Sequence, residues 1–138
     1  MNALAEHHPH DPVAWPAYRM ILPHALTLLD HAPPDTDTTR TSRLLNDLGH
    51  YLKGQGDLGT AIAYYARATD SHHRLSGPDH PDTLSLRSNL AGAYESAGDL
   101  GRAIPLFEAT LADAERVLGS DHPTTRTIRS NLDKARST

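Results

Sequence analysis

The chain has no cysteine, so neither a disulfide framework nor a thiolate metal site can brace it. Aromatic residues make up only 5%, with one Phe and one Trp, and apolar residues reach 38%. That is too polar for a deep spherical core over 138 residues. It suits an elongated array in which each unit buries one face against its neighbour. Lysine is scarce as well: Lys53 and Lys134 stand against 11 Arg, a bias that fits GC-rich coding as readily as any function. No apolar run approaches the ~18 residues of a membrane span. The opening residues MNALAEHHPHDP lack the basic-then-apolar order of a secretory signal. Thirteen basic and 17 acidic residues give a net charge of −4, which offers nothing to nucleic acid or to an anionic membrane. The expectation is one soluble, cytoplasmic domain.

What the chain does have is an internal repeat. Residues 77–90 read GPDHPDTLSLRSNL and residues 119–132 read GSDHPTTRTIRSNL, 42 positions on. Gly77, Asp79, His80, Pro81, Thr83, Arg87, Ser88, Asn89 and Leu90 all recur. At the same offset GDLGTAIAYY (56–65) matches GDLGRAIPLF (98–107). Two different stretches of the repeat therefore report one period.

The repeating unit reads as a helical hairpin. Leu86, Leu90, Ala93 and Tyr94 fall on one helical face. Gly98-Asp99 breaks the chain, and Ala103, Ile104, Phe107, Leu111, Ala114 and Leu118 mark a second helix. Gly119 is placed to stop it in a left-handed cap. Asp121-His122-Pro123 follows, with the carboxylates of Asp79 and Asp121 expected at the helix heads and Pro where its missing N–H is harmless. In the preceding unit Arg43, Leu44, Leu48, Tyr51 and Leu52 mark the first helix. Leu58, Ala61, Ile62, Tyr65, Ala68 and Leu75 mark the second. Pro105 should remove one helical hydrogen bond and bend the helix locally.

Residues 1–13 read as a flexible segment ahead of a single domain over 14–138. Trp15, Tyr18, Leu22 and Leu29 give a leading half-repeat (14–31), with a possible kink at Pro23. Full repeats follow at about 37–76 and 80–118, then a trailing half-repeat at 122–137. The expected fold class is all-α, with about six helices.

At these residues the chain resembles a tetratricopeptide repeat protein. Leu48-Gly49, Leu52, Ala61, Tyr65 and Ala68 fit the family's alternation of small and large packing residues, as do Leu90-Ala91, Tyr94, Ala103 and Phe107. Thr110 departs where Ala is usual. The 42-residue unit with its GPDHPDT linker is similar to the kinesin-light-chain-like subtype. The opening HPHDPVAWPAYRMILPHALTLLDH resembles the start of the repeat region in bacterial NB-ARC-type (STAND) signalling ATPases. No GxxxxGK[ST] accompanies it, so no ATPase activity carries over.

The resemblance implies a right-handed superhelix of stacked antiparallel hairpins, whose first helices line a concave groove for a protein or peptide. The groove residues not needed for packing are Arg43, Asn46, Asp47, His50 and Lys53, then Ser88, Asn89, Gly92 and Glu95, then Ser130, Asn131 and Lys134. Asn carries donors and an acceptor and can satisfy an extended peptide backbone. Asn89 and Asn131 keep the subtype's Asn ladder, and Asp47 replaces its first rung. The expected function is a protein-binding scaffold, as the sensor part of a signalling protein. The alternatives are self-association through the terminal helices, where Ile128 and Leu132 would lie exposed, and a metal protein built on the histidines.

No enzyme signature is present: no GxSxG, no paired-carboxylate cleft, no phosphate loop and no HExxH. Ten histidines are the compositional oddity. His7, His8 and His10 cluster beside Pro9 and Pro12, and His72-His73 diverge on a helix and cannot chelate together. A residue repeated in every unit, as His80 and His122 are, reads as structural. Neither a cofactor nor a functional metal site is expected. Tyr64-Tyr65 reads as packing rather than a base-stacking platform, and Arg126, Arg129, Lys134 and Arg136 form the one candidate basic stripe.

Overall fold

A computed structural model describes residues 37–137. The leading half-repeat and the segment before it lie outside the described residues. Those that are described form five helices and no strands. They are α1 (Thr39–Gly54), α2 (Leu58–Ser76), α3 (Pro81–Ser96), α4 (Leu100–Leu118) and α5 (Pro123–Arg136). The chain divides into two compact units, Met1–Ser71 and His72–Thr138, and the division falls within α2.

In the first unit Thr38 caps α1, its hydroxyl accepting from the Thr41 amide at 3.3 Å. Leu45, Leu48, Leu52, Ala61, Tyr65 and Ala68 are buried and form the packing face of the hairpin. The buried Asp37 carboxylate takes both an Arg67 fork, at 2.8 and 2.7 Å, and the Ser71 hydroxyl at 2.7 Å. A bidentate, fully bonded carboxylate of this kind tolerates burial and ties the approach to α1 onto α2.

In the second unit α4 packs on α3 and on α5, and α3 also touches α5. Leu84, Ala91, Ala103, Phe107, Ala114, Ile128, Leu132 and Ala135 form the core. Phe107 occupies the place in its hairpin that Tyr65 holds in its own, and both rings are fully buried. Thr110, where alanine would be usual, satisfies its buried hydroxyl on the Leu106 carbonyl at 2.6 Å. Pro105 leaves α4 uninterrupted. It is exposed near the helix start, where the carbonyl it deprives of a partner can turn to water.

Three sequence expectations are corrected. The helix caps at the linkers are histidines, not aspartates: the rings of His80 and His122 accept from the Asp82 and Thr124 amides at 3.1 Å through Nδ1. Their backbones match closely, at φ −62°, ψ 137° and φ −63°, ψ 138°. Asp79 instead pairs with Arg116 at 2.8 Å. Gly119 ends α4 with φ 89° and ψ 158°, a region open essentially to glycine but not the left-handed helical cap. Leu75 lies on α2 as expected, and its side chain is exposed, as is that of Val117 42 residues on. The repeat pairs Leu75 with Val117, whereas the half-buried Leu118 follows it by one position. Ile128 and Leu132 are buried on the second-unit core rather than exposed, because α4 covers the apolar face of α5.

Candidate functional site

On α1, Arg43, Asn46, Asp47, His50 and Lys53 fall three or four residues apart and share the face opposite Leu45, Leu48 and Leu52. Arg43 is exposed and the other four are half-buried. One of them is engaged inward: Nδ1 of His50 lies 2.6 Å from the Tyr65 hydroxyl, with the two rings edge-on at 75°. Burial first, and the Asp47 charge second, push the Tyr65 hydroxyl well above the usual phenol range. Tyr65 therefore keeps its proton and holds the His50 ring in place.

In the second unit α3 and α5 run along a shared open cleft of about 280 Å³. Ser85, Ser88 and Asn89 line it from α3, and Pro123, Thr124, Thr127, Ile128 and Asn131 from α5. Three residues expected from the sequence, Ser88, Asn89 and Asn131, thus meet at one concavity. Gly92, Glu95, Ser130 and Lys134 are not among its lining residues. Ser85 and Thr127 are the residues the sequence reading missed. They are equivalent positions of the repeat, one turn before Asn89 and Asn131, so the period that located the Asn pair also marked them.

The cleft falls below the ~300–1,000 Å³ of pockets that enclose small molecules. Its walls are hydroxyls, amides, one proline and the edge of Ile128, a mixture suited to a chain backbone. No titratable side chain lines it, so its Ser and Thr hydroxyls have no base there to activate them.

The basic stripe is partly spent on ion pairs. Arg129 lies 3.7 Å from Glu115 and Arg136 2.7 Å from Glu108. Tyr64 is buried, not presented for stacking. Among the described residues no helix is long and apolar enough to cross a membrane.

This is an all-helical protein of repeated antiparallel hairpins. The profile of the tetratricopeptide repeat family matches residues 40–112, more than half of the chain, and the chain belongs to that family. A search of the curated proteins returns no match. Tetratricopeptide repeats are non-catalytic scaffolds that mediate protein–protein interaction, which agrees with the absence of an enzyme signature in the sequence.

Proposed function

We propose that the chain is a binding module that takes an extended segment of another protein in the open α3–α5 cleft of its second unit. The observation that carries this is the convergence of Asn89 and Asn131, with Ser88, on one open polar cleft. Two amides in equivalent positions of successive hairpins present donors and acceptors in one direction, as an extended backbone requires. In the second unit Gly92, Glu95, Ser130 and Lys134, on the same two helices, extend the recognition surface, and Arg43, Asn46, Asp47, His50 and Lys53 on α1 offer a recognition face of the first unit by itself. The 42-residue period supports the kinesin-light-chain-like subtype. The resemblance of the opening segment to the repeat region of NB-ARC-type ATPases supports a sensor role in a cytoplasmic signalling protein. Self-association draws less support, since Ile128 and Leu132 are buried.

The test is a binding titration on a partner captured with the full chain. Leaving a buried hydrogen-bonding group without its partner costs about 1–3 kcal/mol. Asn89→Ala combined with Asn131→Ala should therefore weaken binding at least about tenfold, since ~1.4 kcal/mol is one decade. The melting temperature should hold, because both side chains lie outside the core. Unchanged affinity in a folded double variant would move the site elsewhere.

A further inference from the structure

The first linker holds a cluster that the second lacks. His72 lies near the end of α2, His80 caps α3, and Asp82 is in the first turn of α3. One ligand atom from each lies within 4.8 Å of the others. Forty-two residues on, the equivalent positions are Ala114, His122 and Thr124. Only the cap histidine is common, so it belongs to the repeat, and His72 and Asp82 are additions specific to this linker. His72 is a buried imidazole where the other hairpin places a buried alanine.

The Thr83 contact sets which nitrogen of His72 carries the proton. Thr83 donates its single hydroxyl proton to the Gly77 carbonyl at 2.9 Å. The same oxygen lies 3.1 Å from His72 Nδ1 and so accepts the Nδ1–H. In neutral His72 the lone pair is then on Nε2, which lies 3.9 Å from Asp82 Oδ2. Nδ1 of His80 is also 3.9 Å from that oxygen. These distances are too long for hydrogen bonds, and a shared proton would draw the groups to about 2.8 Å. They are close to the spacing of about 3.4 Å between two ligands of one tetrahedral metal at ~2.0–2.2 Å. The orienting contact from Thr83 to the far nitrogen is the kind of support that metal-ligating histidines receive. Thr125, the equivalent of Thr83, has no histidine to orient and turns to the Ala114 carbonyl at 3.4 Å.

We propose that His72 Nε2, His80 Nδ1 and the Asp82 carboxylate bind one divalent zinc ion, which staples the end of α2 to the start of α3. His72 is fixed by burial. The His80 and Asp82 side chains are 42% and 58% exposed, so both can close on the ion. Zinc takes the His80 lone pair in place of the Asp82 amide, exchanging a cap hydrogen bond for a coordinate bond. Two imidazoles and a carboxylate suit zinc, with water completing the tetrahedron.

The test uses the full chain, stripped with chelator and titrated calorimetrically with zinc chloride. The N-terminal histidines are removed as competitors by His7→Ala, His8→Ala and His10→Ala together. This background should bind one equivalent of zinc and melt a few degrees higher with excess zinc. Adding His72→Ala, or separately Asp82→Thr, should abolish both effects. Each change installs the residue that the second hairpin already uses, so the fold should survive. Zinc uptake confined to the N-terminal histidines, or an equivalent still bound after His72→Ala, would overturn the site. So would zinc binding that leaves the melting temperature unmoved.

Discussion

The Tyr65 ring lies against Gly49 so closely that a Cβ there would sit 2.9 Å from Cε1 and 3.0 Å from Cδ1. The next residue along, His50, takes the hydroxyl of the same ring. One aromatic therefore sets two neighbouring positions of α1, the first by shape and the second by polarity. Gly49→Ala adds a methyl into this contact. Overpacking costs about 1–3 kcal/mol, against about 1 kcal/mol gained from alanine's better helix propensity. The net loss should reach about 1 kcal/mol, read as a drop of several degrees in the melting temperature. Tyr65→Leu relieves the clash, so in a double-mutant cycle the two changes should be non-additive. A Gly49→Ala variant as stable as wild type would show that α1 and α2 can separate at this point without loss.

Phe107 and His122 separate packing from capping in the second unit. Truncating a fully buried aromatic costs about 3–5 kcal/mol, most of what a domain of this size has. Phe107→Ala should leave the chain unfolded or nearly so by circular dichroism. His122→Ala removes only the cap acceptor of α5 and should cost about 1 kcal/mol. If the two variants melt alike, Phe107 is not the centre of the core that its burial indicates.

The repeat made much of this arrangement legible. Gly77 and Gly119, GDLG twice, and the Tyr65–Phe107 correspondence fall out of one period, because a structural unit stacked on itself must reuse its packing residues. The Asn89–Asn131 pair was legible for the same reason. The caps were not: Asp is the usual helix-capping residue, and nothing in DHP says that the imidazole reaches back to the amide two residues on. Nor was the exposure of Leu75, since apolar spacing gives a face but not its edge. The burial of Ile128 and Leu132 depended on a tertiary partner, α4, that hydrophobic pattern alone does not supply. The meeting of His72 with His80 and Asp82 joins two helices across a turn, a distance relation that no local pattern encodes.

Acid should act through Asp113. Hydrogen bonding from the Arg87 guanidinium, with Arg116 adding to it, holds its carboxyl below the ordinary 3.8, and the Arg87 contact is 2.7 Å. A carboxyl whose folded value is depressed stabilises the fold above its unfolded value, and that stability is lost as pH falls through the folded value. The side chain is about a third exposed, so solvent screening limits the effect to about 1 kcal/mol or less. Asp113→Asn should melt slightly below wild type at pH 7, and the gap should close as pH falls through the depressed folded value of Asp113. A gap that persists in acid would assign the loss to packing rather than to charge.

The cleft itself can be tested without touching its amides. Thr127 lies on its wall, is exposed, and bonds only within its own helix, to the Pro123 carbonyl at 3.0 Å. Thr127→Trp places a large ring over the opening while leaving Asn89 and Asn131 intact. A surface substitution of this kind usually changes stability by less than about 0.5 kcal/mol, so the melt should hardly move. Binding of an extended segment should fall at least about tenfold, because the ring occupies the space the backbone needs. Loss of binding in the double Asn variant alone could come from lost hydrogen bonds at some remote point of contact. Loss in both the Asn variant and the blocked variant places the bound chain over the cleft. Normal affinity for Thr127→Trp, with the fold intact, would show that the partner passes elsewhere and would turn attention to the α1 face around Asp47 and His50.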